Sequence, residues 1–152
     1  MTENRLEIIA PEQSEMLKQA TISEQRNAAK AACKFAIERT SLSHPILDEG
    51  LEALEKGQCG DVSLQNKLQS LVDRLDEIQW DLQEKMGEGN IKLSDYLAAF
   101  HTARAVNSLY FALNADPFVA ASEAIYEAHA ATEELVTLKQ KILEVFQLPT
   151  II

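Results

Sequence analysis

Glycine and proline are scarce in this chain, at 5 and 4 of 152 residues, which argues against the turn-rich build of a β-sandwich or barrel. Cysteine appears twice, at Cys33 inside a helical pattern and at Cys59 in the turn Gly57-Gln58-Cys59-Gly60. Two thiols without metal-ligand spacing make neither a disulfide framework nor a zinc site, and they fit a reducing compartment. Long apolar runs are missing as well. None approaches the roughly 20 residues that cross a bilayer, and Met1-Thr2-Glu3-Asn4-Arg5 lacks the basic-then-apolar order of a secretory signal. A cytoplasmic protein without membrane association is expected. Basic charge is the last shortage: 14 Lys and Arg face 24 Asp and Glu, for a net charge of −10. Nucleic acid is therefore a poor partner, because phosphate backbones are held by lysine and arginine. Gly-rich phosphate loops, a nucleophile elbow and Cys/His clusters are absent, so no cofactor and no metal is expected.

What remains is helix. Hydrophobic content of 46% with 25% charged residues is globular, and the length suits one domain over residues 1–152. The organising stretch runs from Ser94 to Leu148, as a helical hairpin hinged at Asn114-Ala115-Asp116-Pro117. Aspartate before proline starts a helix, since the carboxylate accepts an orphan N–H and proline lacks one. Upstream, Tyr96, Ala99, Phe100, Ala103, Val106, Tyr110, Phe111 and Leu113 share one arc at helical period. Downstream, Phe118, Ala121, Ala124, Ile125, Ala128, Leu135, Leu138, Ile142, Leu143 and Phe146 do the same.

Taken in order, residues 1–10 show no period and read as a frayed or loosely docked arm. Pro11 to Ala20 starts a helix, and Ser23 is the expected cap of a second one reaching Leu42, with Ala28, Ala29, Ala32, Phe35, Ala36 and Ile37 inward. A short helix from Pro45 to Lys56 stops at Gly57. The next, opened by Asp61 or Ser63 and ending near Met86, carries Leu64, Leu68, Leu71, Leu75, Ile78 and Leu82 at alternating spacings of four and three, the seam of coiled-coil packing. An all-α bundle of five or six helices is expected, with its main body at 61–86, 94–114 and 116–148. Ile151 and Ile152, after Pro149, need cover from the bundle or from another subunit.

Charge and aromatic placement supply the candidate sites. Residues 48–88 hold eleven acidic side chains against Lys56, Lys67, Arg74 and Lys85. Opposite the leucine seam, the only tryptophan, Trp80, sits among Asp73, Asp76, Glu77 and Glu84. A large amphipathic ring edged by acids suits a basic protein partner. On the following helix His101, Arg104 and Ser108 form a narrow polar strip, either a small polar cleft or a set of interhelical ties. Glu123, Glu127 and Glu134 on the last helix read as its solvated face. They and His129 lack the Glu-x-x-His spacing of a di-iron bundle. Arg39 and His44 have the spacing Arg-x4-His, which resembles the arginine and histidine of the HEPN ribonucleases and would imply RNA cleavage.

A second resemblance covers more of the chain. The helix Ala28 to Glu38 with its cysteine, the short helix Leu51-Glu52-Ala53-Leu54-Glu55-Lys56-Gly57, then Ala103-Arg104-Ala105, and Ala120-Ala121 through Tyr126 to Ala130-Ala131 resemble the Ala-rich, all-helical immunity proteins encoded beside bacterial polymorphic toxins. That resemblance implies a protein that binds and blocks a toxin rather than performing catalysis, and the acidic sector around Trp80 adds the expectation that the toxin or nuclease domain is basic. The competing expectations are an enzyme, through Arg39 and His44 or through His101 and Arg104, and a structural bundle that self-associates through its leucine seam or isoleucine tail.

Overall fold

The computed structural model describes residues 4–89 and 92–147. Among these there are only helices, eight in number: α1 (Arg5–Ile9), α2 (Pro11–Gln19), α3 (Ile22–Thr40), α4 (Pro45–Glu55), α5 (Val62–Gly87), α6 (Leu93–Ala112), α7 (Pro117–Thr132) and α8 (Leu135–Gln147). No helix among the described residues is long and apolar enough to cross a membrane.

Helices α3, α6 and α7 pack on one another and form the centre. Alanine is why they can approach so closely: Ala28, Ala29, Ala32 and Ala36 of α3 and Ala120, Ala121, Ala124 and Ala128 of α7 are fully buried. Helix α5 lies along α6, α8 covers α3 and α7, α4 bridges α5 and α6, and α1 with α2 caps α7. The turn between α6 and α7 is tied from two sides. Arg26 of α3 donates to the carbonyls of Asn114 at 2.6 Å and Ala115 at 2.7 Å, and the Gly60 N–H donates to Leu113 O at 2.8 Å. The Arg26 bonds satisfy carbonyls of the turn, and the Gly60 bond satisfies the carbonyl that the C-cap of α6 leaves orphaned. Asp116 caps α7 as expected, accepting from the N–H groups of Phe118 and Val119.

Several boundaries differ from the sequence reading. Eight helices replace five or six because two stretches were divided differently. The helix expected over 116–148 breaks at Glu133, which takes the left-handed conformation at φ 57° while its N–H donates to His129 O. The Thr132 hydroxyl then accepts from the Glu134 N–H, and α8 starts at once. Residues 5–9 form a docked helix instead of a loose arm: Leu6 and Ala10 are fully buried, and Asn4 caps α1. The cap of α3 is Thr21, not Ser23, in a reciprocal capping box with Glu24. Helix α6 opens at Leu93 with no side-chain cap, one residue before Ser94. Ile151 and Ile152 lie outside the described residues.

The leucine seam of α5 is buried only over its first half. Leu64, Leu68 and Leu71 are in the core, but Ile78 is 45% exposed, and the buried side chains further along are Val72 and Gln79. A repeat of 3.5 drifts around a straight helix of 3.6 residues per turn, and among the described residues α6 is the element that α5 packs on most. Among residues 76–89 and 92–101 a single side chain, Gln79, is buried, its amide donating to the Tyr96 hydroxyl at 3.3 Å. The distal ends of α5 and α6 thus form a pair with little cover.

Candidate functional site

Trp80 stands on that distal part of α5 and is 60% exposed. Asp73 and Glu77 precede it by seven and three residues and Glu84 follows by four, so all three share its side of the helix. All three are exposed, and none has a cationic partner among the described residues. The structure separates Asp76 from this group. Its carboxylate accepts from Arg104 Nη2 at 2.9 Å, and only 22% of its side chain is exposed. Of the five residues that the sequence groups as a partner-binding face, the structure leaves four on an open surface and puts the fifth, Asp76, in an internal ion pair instead.

Asp76 is the end of an alternating chain of charge. Arg104 of α6 also reaches Glu127 Oε2 of α7 at 3.4 Å; Glu127 Oε1 takes Arg5 Nη2 of α1 at 3.0 Å; and Arg5 pairs with Glu123 of α7 through Nη2 and through Nε at 3.1 Å. The Arg5 guanidinium also sits 4.1 Å from the centre of the Tyr126 ring. Burial alone would lower the Arg5 pKa, but Glu123 and Glu127 outweigh it and hold it above its ordinary value. Glu123 and Glu127 are thus not a solvated face: Glu127 is 2% exposed. Arg5 and Glu127 are 122 residues apart, and no local pattern announces their meeting.

The polar strip of α6 divides among three environments. Ser108 is fully buried and donates to Ala124 O at 2.8 Å, so it is an interhelical tie and no part of a cleft. Arg104 belongs to the ion chain. His101 lines a different cleft with Arg39, Thr40, Thr102, Thr132 and Glu134, its Nε2 3.7 Å from Glu133 and without a hydrogen-bond partner. Arg39 in that cleft pairs with Glu134 at 3.1 Å. His44, its companion in the Arg-x4-His spacing, lines a separate cleft and serves as the N-cap of α4, Nδ1 accepting from the Ile46 N–H at 3.1 Å.

The two thiols differ in environment. Cys33 is wholly buried, which pushes its pKa up to about 12, whereas Cys59 lines an open cleft with Arg26 and Lys30. Burial therefore holds Cys33 as the thiol, whereas the thiolate is the reactive form. Titration with a thiol-specific disulfide reagent is expected to modify Cys59 in the native protein and both thiols in denaturant. Two fast equivalents in the native protein would contradict this burial.

Compared with known proteins, the chain matches no family model, no curated protein and no solved structure.

Proposed function

We propose that this chain is a non-enzymatic protein-binding module that receives a basic partner on the acidic distal face of α5, with Trp80 as the anchor. The observation that carries the reading is a 60% exposed tryptophan flanked by the carboxylates of Asp73, Glu77 and Glu84, none of which has a cationic partner among the described residues. An indole is normally withdrawn into a core, and here α6, which reaches Asp76 one turn before Trp80, leaves most of the ring uncovered. Partner contact would remove its apolar surface from water, and the carboxylates would steer and orient a cationic surface. The resemblance to immunity proteins implies a toxin as the partner, and the acidic face suits a toxin or nuclease domain rich in lysine and arginine. Two free thiols agree with action in the cytoplasm.

Trp80 is the only tryptophan, so its emission reports on this face alone. Relative to a free tryptophan amide, caesium is expected to quench it more efficiently and iodide less, with the difference fading as salt screens the carboxylates. Equal normalised quenching by both ions would remove the electrostatic part of the proposal. For binding, a basic protein recovered from lysate at low salt should blue-shift Trp80 emission on titration and lose affinity for Trp80→Ala/Glu77→Lys. A captured partner that binds this variant as well as the wild type would place the interface elsewhere.

A further inference from the structure

A cleft between the start of α4 and the middle of α5 collects charge of the opposite sign to the rest of the chain. It has a volume of about 320 Å³ and is lined by His44, Ile46, Lys67, Ser70, Leu71 and Arg74. No carboxylate lines it, although the chain holds 24. Lys67, Ser70 and Arg74 are three and four residues apart, which sets them on one side of α5, roughly a quarter to a third of a turn around the helix from Trp80. Each carries a donor. His44 supplies another, because its Nδ1 accepts the Ile46 N–H, which leaves the ring proton on Nε2. Ile46 and Leu71, each 9% exposed, form an apolar floor between these groups. Arg74 has no carboxylate partner among the described residues, and Lys67 has only a 3.5 Å contact to Glu49 in which both side chains are more than half exposed. Such a contact is screened by water and yields easily to a competing anion.

We propose that this cleft binds the phosphate group of a small phosphorylated molecule, with an apolar part of the ligand resting on Ile46 and Leu71. A phosphate has enough oxygens to use the Arg74 fork, the Lys67 ammonium, the Ser70 hydroxyl and His44 Nε2 together, and its charge relieves the repulsion between Lys67 and Arg74. A carboxylate has two oxygens and would leave donors idle. The size of the ligand is limited by its surroundings: Asp48, Glu49, Asp73 and Glu77 stand on the same two helices and repel a long polyanion such as RNA. Asp73 and Glu77 also belong to the protein-binding face, so the two sites adjoin on α5, but none of the residues that line the cleft is part of that face.

The test is calorimetric titration of the full chain with phenyl phosphate in low-salt buffer. Saturable binding with a Kd in the millimolar range or below is expected, weakened about tenfold or more by Arg74→Glu and by Lys67→Glu. His44→Asn keeps a capping side chain but loses the Nε2 donor, so it should leave the melting temperature in place and weaken binding severalfold. Lys141→Glu makes the same charge change at an exposed position of α8 and should alter Kd by less than about twofold. Failure to saturate, or an equal loss in Lys141→Glu, would overturn the site. Benzoate binding as tightly as phenyl phosphate would overturn the phosphate assignment, and inorganic phosphate doing so would overturn the role of the apolar floor.

Discussion

Replacing Glu127 with alanine is expected to lower stability by about 3 kcal/mol, the lower end of the range for breaking a buried ion pair. The carboxylate is 2% exposed and bridges Arg5 at 3.0 Å and Arg104 at 3.4 Å. Its removal leaves Arg104, itself 20% exposed, with Asp76 alone and with an Nε that is already buried and unpartnered. Two features keep the loss from the upper end: Arg5 is 38% exposed and retains Glu123, and Arg104 retains Asp76. For a domain of this size the melting temperature should fall by about 6–12 °C. Glu127→Gln keeps an acceptor in place and should cost less. Glu134→Ala breaks a pair in which both partners are over 40% exposed, and it should cost about 1 kcal/mol or less. Urea denaturation followed by circular dichroism separates these outcomes. Equal effects of Glu127→Ala and Glu134→Ala would mean that the ion chain does no more for stability than a surface pair.

The same ion chain marks where the sequence stops being legible. Local chemistry announces itself: Asp116 before Pro117 gives the start of α7, and Gly57 gives the stop after α4, where it adopts φ 70°. Thr21 and Glu24 carry an equally local signal, a capping box, and it outcompetes Ser23 as the start of α3. The inward face of α3 was readable because alanines and Phe35 recur at helical period. The break at Glu133 was not, for it contains neither glycine nor proline. It is held by backbone bonds to His129 O and to the Thr132 hydroxyl that have no sequence signature. Long-range partners are harder still. Helical periodicity can say that Glu127 and Glu123 share a side of α7, but not that Arg5, more than a hundred residues earlier, covers that side. The candidate face divides in the same way. The wheel of α5 correctly set Trp80, Asp73, Glu77 and Glu84 away from the seam, whereas the fate of Asp76 depended on Arg104 of another helix.

Core packing offers the other large effect, at the contact between Gly50 of α4 and Leu109 of α6. A Cβ added to Gly50 would stand 2.8 Å from one Leu109 methyl carbon and 3.3 Å from its Cγ, and Leu109 is fully buried. Gly50 therefore sits in a helix for the sake of close approach, since its backbone needs no left-handed freedom. Gly50→Ala gains about 1 kcal/mol of helix propensity but forces a packed leucine to move, an overpacking cost of about 1–3 kcal/mol. A net loss of up to about 2 kcal/mol is expected. Leu109→Ala alone opens a cavity among fully buried neighbours and should cost about 3–4 kcal/mol, or about 6–16 °C in melting temperature. The double variant is the sharper test. With Leu109 shortened, the alanine methyl at position 50 enters the vacated space, so the clash vanishes and part of the cavity is filled. The double variant should then be about as stable as Leu109→Ala or more so, with a coupling of about 1–3 kcal/mol between the two sites. Additive losses would mean that α4 shifts on α6 to accommodate the methyl, and that the close approach at Gly50 is not what fixes their packing.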